Sequence, residues 1–248
     1  MHIELQGLLD CALSIMEYRA MSDPIEIFSK IYKENGWGGA SPSGPGSDPE
    51  LLRLYLQLLI AVIKERNISS VVDIGCGDWA LARKIDWTRV DYTGIDIVPE
   101  LVNRLDRTFG SDNIRFICAD LSKADLPSGE LCIIKDVLQH ISNASVHIFL
   151  RKLQTRFKYA IITNDISHKK QGGWRTRWKT EYIEPNCNIP DGGYRPLRLT
   201  EGPFHLRARR LSVIPLRFKR RVFGHSGVVF ETKEILLWEH STADSALT

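Results

Sequence analysis

The chain has 248 residues, of which 43% are hydrophobic and 25% charged, and its formal net charge is +3. This length fits one large domain, and the composition excludes a disordered chain, a collagen and a coiled coil. The five cysteines form no Cys-x-x-Cys pair, so we expect neither a disulfide framework nor a metal site. Glu4 and Asp10 stand where a signal peptide needs a basic start and an apolar core. The longest apolar run, residues 58–63, is far shorter than a membrane span, so we expect a soluble, cytoplasmic protein.

The charge is distributed unevenly along the chain. Residues 165–221 carry 14 basic and 5 acidic side chains, a net charge of +9, whereas residues 1–164 and 222–248 each have a net charge of −3. A positive field concentrated in the last third predicts an anionic partner.

The N-terminal part is predicted to be helical up to about residue 35. Apolar residues recur at helical spacing from Leu5 to Met16, and Asp23 followed by Pro24 is typical of a helix start. Residues 35–50 are rich in glycine, proline and serine, which fits either a flexible linker or an ordered loop over a ligand. Because Trp37 is unfavourable in a flexible linker, we predict a helical cap over residues 1–48 and a main domain over residues 49–248.

From residue 70 onward, apolar strands alternate with amphipathic helices. Such short apolar runs between helices indicate a parallel sheet covered on both faces. The irregular stretch at about 165–210 is too long for a simple connection and is predicted to be an inserted functional lid. The predicted strands are 70–74, 92–95, 114–118, 131–134, 159–163, 211–218 and 234–239, and the predicted helices are 79–85, 99–109 and 144–153, after a helix that begins near residue 47 and runs to about residue 66.

Residues 71–85 read VVDIGCGDWALARKI, a predicted strand, glycine turn and helix. Gly75 and Gly77 stand where the backbone bends tightly and a ligand can approach without meeting a Cβ atom. The first amides of the predicted helix favour an anionic group at the same point. The third glycine of the dinucleotide fingerprint is absent, which disfavours a nicotinamide cofactor.

Three acidic residues accompany the glycine turn. Asp73 lies inside the first strand, Asp96 ends the second in YTGIDIV, and Asp120 ends the third in IRFICADL. An acid about 20 residues beyond the glycine turn is the usual position of a ribose-binding carboxylate. Each acid alone fits a simple helix or turn cap, but three in register with the turn favour a ligand site at the carboxyl ends of the strands.

These residues resemble the class I S-adenosylmethionine-dependent methyltransferases over roughly residues 50–240. The matching blocks are VVDIGCG, YTGIDIV, FICADL, IIKDVLQHI and YAIITND, in the order and spacing of the family. The resemblance implies a Rossmann-like α/β fold, in which a seven-stranded mixed sheet with an antiparallel last strand has helices on both faces. It also implies S-adenosyl-L-methionine as methyl donor and S-adenosyl-L-homocysteine as product. More narrowly, KDVLQH and GGYRPL resemble a bacterial subfamily to which we assign no substrate.

The resemblance also implies which residues hold the donor. Asp73, Gly75 and Gly77 would hold its methionine end, Asp96 its ribose hydroxyls and Asp120 its adenine amine. The other residues of the predicted cofactor set are Cys76, Asp136, and the two residues that would pack on the adenine, Ile97 and Leu121. Trp79 stands where many members of the family have a small residue, so the packing there is expected to differ.

The acceptor side is predicted from the segment IIKDVLQHI at the end of the fourth strand. We predict His140 as the catalytic residue, either a general base or a group that orients the substrate, because imidazole titrates near neutrality. The alternative is a hydrogen-bonded histidine that opens the following helix. Predicted substrate-binding residues are Trp37, Asn164, Tyr194 and Arg195, the last two presented by the turn at Asp191-Gly192-Gly193.

Three functions follow from these patterns. The first is methyl transfer to an oxygen or nitrogen of a small polar, anionic metabolite such as a sugar, a phosphosugar or a nucleotide-linked sugar. The second is an RNA methyltransferase that uses the basic strip 205–221, although alternation there also fits a strand with solvated basic residues. The third is a non-catalytic binding protein that keeps the fold as a scaffold.

Overall fold

The computed structural model describes residues 23–38, 41–48, 52–167, 169–171, 180–222 and 225–240. The helix predicted before residue 20 lies outside the described residues, as do residues 172–179 of the predicted lid. No helix in the described ranges is long and apolar enough to cross a membrane. The helices are α1 (Pro24–Lys33), α2 (Arg53–Glu65), α3 (Pro99–Phe109) and α4 (Asn143–Arg156), and the strands are β1 (Ser70–Ile74), β2 (Asp91–Asp96), β3 (Ile114–Cys118), β4 (Gly129–Lys135), β5 (Phe157–Asp165), β6 (Lys169–Gln171), β7 (Thr180–Tyr182), β8 (Arg209–Val222) and β9 (His225–Glu239).

Seven of the strands form one mixed sheet in the order β3-β2-β1-β4-β5-β9-β8. Strands β1 to β5 are parallel, whereas β9 pairs antiparallel with β5 and β8 antiparallel with β9. The predicted fold class is therefore confirmed. The chain crosses from β1 to β2 on one side and reaches β4 on the other, so a crevice opens at the carboxyl ends of β1 and β4.

The sheet is buried on both faces because its apolar runs alternate between two cores. One core packs β-strand residues such as Val71 and Ile133 against α2 and α3, through residues that include Leu59 and Leu105. The other packs the intervening strand residues against α4 and against the chain segment near Leu197. Both layers hold the carboxyl edge of the sheet rigid, which is where the predicted site residues lie.

Helix α1 begins as its sequence predicts. The Asp23 carboxylate accepts a hydrogen bond from the Ile25 amide at 3.0 Å, and Pro24 occupies the first turn. The buried face of the helix includes Ile27 and Ile31. A Cβ atom at Gly192 would come within 2.4 Å of the Ile27 side chain, so α1 packs directly on the predicted turn at Asp191-Gly192-Gly193.

The helix predicted over residues 79–85 is wrong. After the glycine turn the chain forms irregular turns and one short 3₁₀ helix, Ala82–Lys84. Trp79 has a left-handed φ of 61°, which a right-handed helix does not accommodate. Its buried indole packs on the rings of Tyr92, Phe109 and Phe116, with ring centroids 5.0–5.7 Å apart. Aromatic packing therefore overrides the local helical pattern.

Strand β8 confirms the prediction of a strand near residue 211. Ile214, Leu216 and Phe218 are buried, whereas Val213 is 41% exposed. A register shift between Arg210 and Ser212 changes the alternation at the start of the strand. Arg217, on the exposed face, lies over the Phe230 ring at 5.7 Å.

Candidate functional site

Asp73 lies in β1, one residue before the end of the strand, and its carboxylate is buried. It accepts a hydrogen bond from the Tyr92 hydroxyl at 2.7 Å. Burial raises the pKa of Asp73 to about 6, against the opposing effects of the Tyr92 hydrogen bond and the Lys135 charge. A cation placed beside this carboxylate would lower its pKa and favour the ionised form.

The two glycines after β1 form the turn that the sequence predicts. Gly75 and Gly77 have φ angles of +71° and +58°, in the left-handed region. A Cβ atom at Gly75 would lie 2.1 Å from a methyl group of Val137, and one at Gly77 would lie 2.6 Å from the Ser43 hydroxyl. Both positions therefore require glycine for close approach as well as for backbone conformation. Cys76 lies between them, partly buried, and its amide donates to the Ile95 carbonyl at 3.0 Å.

Asp96 ends β2 next to this turn. Its carboxylate accepts hydrogen bonds from the amides of Gly77 at 3.0 Å and Val98 at 3.1 Å. Burial raises its pKa, although these amides oppose the shift. Each carboxylate oxygen can accept a second hydrogen bond, so the group can also bind a pair of hydroxyls.

Asp120 follows β3 at the same edge of the sheet. One of its oxygens accepts from the Ser122 amide at 2.8 Å and the Ser122 hydroxyl at 2.6 Å. The other oxygen is buried and accepts no hydrogen bond from the described residues, although the Lys123 ammonium forms an ion pair with it at 3.5 Å. Burial acts to raise the pKa of Asp120, but the Ser122 hydrogen bonds hold it below its usual value. Ile97 and Leu121 lie nearby along the chain and are partly buried.

These residues fit an adenosine-bearing ligand. The left-handed glycines provide a turn without side chains, Asp96 has spare acceptor capacity, and one Asp120 oxygen lacks a hydrogen-bond donor within the described chain. An exocyclic amine is the kind of donor that such an oxygen accepts.

The loop of residues 41–47 packs on the glycine turn. The Ser43 hydroxyl accepts from the Asp78 amide at 2.8 Å and lies 3.0 Å from the Tyr32 hydroxyl of α1. The Ser41 hydroxyl donates to the Asp78 carboxylate at 2.7 Å. At the other end of the loop, the Lys135 ammonium donates to the Gly46 carbonyl. The loop thus spans the carboxyl ends of β1 and β4.

A cluster of four charged side chains lies at the end of β4. The Asp136 carboxylate accepts from Lys135 at 2.6 Å and from Lys233 at 2.8 Å, and Lys233 also pairs with Glu231 at 2.8 Å. Burial acts to raise the pKa of Asp136, but the two ammonium groups hold it well below its usual value. Burial acts to lower the pKa of Lys233, yet Asp136 and Glu231 raise it. Asp136 and Lys233 therefore stay ionised, and the four side chains hold one another in place.

His140 lies in a short 3₁₀ helix after β4, with both ring nitrogens bonded. Nδ1 lies 2.8 Å from the Gly193 carbonyl, which can only accept, so Nδ1 carries the hydrogen. Nε2 then accepts from the Gln139 side-chain amide at 3.2 Å. Burial lowers the pKa of His140 to about 4. The Trp37 ring packs against it with centroids 4.3 Å apart, and the Tyr194 ring lies 5.9 Å away. The imidazole is therefore neutral and fixed in orientation.

The end of β5 contributes two polar residues. Asp165 is buried, and its carboxylate accepts from the Tyr194 hydroxyl at 2.6 Å and from the Ser167 hydroxyl at 2.6 Å. Burial and the Asp165 charge raise the pKa of Tyr194, so its phenol stays protonated. Asn164 is buried, and its side-chain oxygen meets no hydrogen-bond donor among the described residues.

Arg195 lies in the buried interior next to this region. Its side chain is fully buried and donates to the Leu138 carbonyl at 2.7 Å and to Asn143 at 3.0 Å. Burial lowers its pKa to about 10. These contacts attach the segment after Gly193 to the start of α4.

Several residues of this region are not predicted from the sequence. Ser41, Ser43 and Tyr32 carry no motif, although the loop itself is conspicuous for its serines. Lys233 offers a weak signal, since it is the single basic residue among the last 27. Lys233 and Asp136 are 97 residues apart in the sequence, and a local sequence pattern does not predict a contact over that separation.

The topology and the sequence match together define the class. Residues 71–160 match the sequence family described as a methyltransferase domain. The strand order, the antiparallel β9 and the glycine turn agree with the fold that the motifs predict. Residues 71–160 are thus similar to a methyltransferase domain, and the strand order is the one that the resemblance to class I S-adenosylmethionine-dependent methyltransferases implies.

Individual relatives match at lower coverage. Uncharacterized methyltransferases of Mycobacterium bovis and Mycobacterium tuberculosis are 33% identical over 95 residues, which cover 38% of this chain and 45% of those proteins. The chain thus spans less than half the length of the curated relatives that it matches.

Two solved structures share the fold. N-methyltransferase NodS from Bradyrhizobium japonicum, in complex with S-adenosyl-L-homocysteine, has a TM-score of 0.53 at 12% identity and covers 86% of this chain and 98% of that chain. TehB from Haemophilus influenzae has the same TM-score and identity, and the match covers 75% of this chain and 62% of that chain. Identity this low supports the fold alone.

Proposed function

We propose that the protein is a methyltransferase that uses S-adenosyl-L-methionine to methylate an oxygen or nitrogen of a small polar acceptor. The observation that carries this proposal is the convergence of Asp73, the Gly75–Gly77 turn, Asp96 and Asp120 at one edge of the sheet. The bound donor supplies an activated methyl group on a sulfonium. The protein supplies orientation and a site from which water is excluded.

The donor assignment follows the chemistry of each group. Asp73 faces the α-ammonium group of the methionine end, which is a cation. Asp96 binds the ribose hydroxyls with its spare acceptor capacity, and the unbonded oxygen of Asp120 accepts from the adenine amine. Ile97 and Leu121 pack on the adenine, and Cys76 and Asp136 complete the donor side.

Substitution of Asp96 by asparagine tests the donor site. The amide cannot accept from two hydroxyls and two backbone amides at once, so we expect the dissociation constant for S-adenosyl-L-homocysteine to rise by about ten- to one-hundredfold. Isothermal titration calorimetry measures it. Asp91→Asn, at the exposed start of the same strand, is the matched control and should bind like the unmodified protein. Absence of binding to the unmodified protein at tens of micromolar would refute the proposed function.

The pH dependence of donor binding follows from Asp73. Its pKa of about 6 means that it becomes neutral as pH falls below 6, and it then no longer attracts the α-ammonium group. We expect the dissociation constant to be nearly constant from pH 7 to 8 and to rise by up to about tenfold per unit below pH 6. Calorimetry between pH 5 and 8 measures this. Asp73→Asn should bind the donor weakly and with little pH dependence. If the dissociation constant of this variant rose below pH 6 as steeply as that of the unmodified protein, another group would cause the pH dependence.

The acceptor side is proposed to hold a sugar, a phosphosugar or a nucleotide-linked sugar. Trp37 and Tyr194 supply aromatic faces near His140, and such faces bind sugar rings and nucleobases. Asn164 offers a buried oxygen to a donor group of the acceptor. The excess of basic residues over 165–221 supports an anionic acceptor.

His140 is proposed to orient the acceptor indirectly, by holding the Gly193 carbonyl beside Tyr194. A neutral ring with both nitrogens bonded and a pKa of about 4 is a weak proton acceptor at neutral pH. Arg195 is proposed to fix the segment that carries Tyr194, through its bonds to the Leu138 carbonyl and Asn143.

A further inference from the structure

The loop of residues 41–47 packs against the glycine turn, which the proposed function assigns to the methionine end of the donor. Its contact with the turn is direct, because a Cβ atom at Gly77 would come within 2.6 Å of the Ser43 hydroxyl oxygen and 3.2 Å of the Tyr32 hydroxyl. Gly77 thus admits Ser43 to a position that any other residue would block. Three polar groups meet there, namely the Asp78 amide and the hydroxyls of Ser43 and Tyr32.

The hydrogen-bond capacity of Ser43 identifies what it can still bind. Its hydroxyl oxygen accepts from the Asp78 amide at 2.8 Å and lies 3.0 Å from the Tyr32 hydroxyl. Burial and the charge of Asp96 raise the pKa of Tyr32, so the phenol stays protonated and can donate to Ser43. In that orientation both lone pairs of the serine oxygen are used, and its own O–H is directed to a further acceptor. A carboxylate is an acceptor of that kind.

We propose that Ser43 donates a hydrogen bond to the α-carboxylate of the methyl donor, with Tyr32 holding the serine hydroxyl in the required orientation. This inference rests on the proposed function, since it assigns a residue to one end of the same donor. Ser43 lies outside the strand and turn blocks that carry the resemblance, on a loop that also contacts the end of β4 through Gly46. The two charged groups at the amino-acid end of the donor are then bound by different elements, the ammonium by Asp73 of β1 and the carboxylate by Ser43 of the loop.

Two probes distinguish this role from a merely structural one. S-adenosyl-L-homocysteine carries the amino-acid end, and 5′-methylthioadenosine has the same adenosine thioether without it. For Ser43→Ala we expect the dissociation constant for S-adenosyl-L-homocysteine to rise by about ten- to one-hundredfold, the worth of one hydrogen bond to a charged group. The dissociation constant for 5′-methylthioadenosine should stay within about twofold, because the adenosine contacts are intact. Calorimetry measures both.

Two further variants complete the experiment. Tyr32→Phe should weaken S-adenosyl-L-homocysteine selectively as well, but less than Ser43→Ala. Ser47→Ala is the matched control, because within the described part of the chain its hydroxyl bonds only to the Ser43 carbonyl, at 3.4 Å, and both probes should bind it normally. Equal weakening of both probes by Ser43→Ala, or no weakening of either, would overturn the assignment while leaving the proposed function intact. Failure of the unmodified protein to bind either probe would instead overturn the proposed function.

Discussion

Replacement of Lys233 by methionine is expected to lower the free energy of unfolding by about 3–5 kcal/mol. The ammonium is buried and lies 2.8 Å from both Asp136 and Glu231. Without it, Asp136 keeps only Lys135 as an ionic partner, and Glu231 loses the Lys233 ammonium. A charge left buried without its partner is far more unfavourable than the loss of an exposed ion pair. Urea unfolding followed by circular dichroism measures the change.

The control for this prediction is Lys158→Met. Lys158 also pairs with a carboxylate, Glu130, at 2.9 Å, but its side chain is 67% exposed. We expect the unfolding midpoint of this variant to stay nearly unchanged. Adding Asp136→Asn to Lys233→Met should recover part of the lost stability, because the side chain at position 136, which has lost one of its two ammonium partners, is then neutral. Equal midpoints for Lys233→Met and Lys158→Met would contradict the proposed importance of the cluster.

Substitution of Gly75 by alanine is expected to lower the free energy of unfolding by about 2–5 kcal/mol and to weaken donor binding at least tenfold. Two effects add. The left-handed φ of +71° disfavours any residue with a Cβ atom, by about 1–2 kcal/mol. The new methyl group would also lie 2.1 Å from Val137, and overpacking of that kind costs about 1–3 kcal/mol. Chemical unfolding and calorimetry with S-adenosyl-L-homocysteine measure the two results.

A second variant separates these effects. Adding Val137→Ala removes the methyl group that the new Cβ atom meets. The double variant should therefore regain the stability lost to the steric clash, but not the stability lost to backbone strain. Gly129→Ala is the control, because Gly129 lies at the start of β4, has no left-handed φ, and its Cβ atom would meet Val72 at 3.1 Å. If Gly75→Ala were no more destabilising than Gly129→Ala, the strained turn would not be a requirement of this fold.

The parallel strands could be predicted from the sequence because their signals are local. The first strand matches its prediction of residues 70–74, and β3 matches 114–118. Asp96 and Asp120 could be placed at the carboxyl edge because a parallel sheet brings the ends of its strands to one side. The sequence could not exclude the predicted helix over residues 79–85, because its apolar residues have helical spacing. In the structure, Trp79 instead packs on three rings that are distant in the sequence.

The sequence by itself determined the fold class and the glycine turn, and it placed Asp73, Asp96 and Asp120 on or just after the first three strands, because each of these features depends on residues close together along the chain. Tertiary structure alone decided what surrounds them. It brings Lys233 to Asp136 because β9 runs antiparallel beside β5, and it seats Ser43 on the glycine turn because Gly77 leaves room for the hydroxyl. It also makes His140 a fixed, neutral ring, since burial removes the imidazole from water and two neighbours bind its nitrogens. Contacts between distant segments depend on packing, which leaves no periodic pattern in the sequence.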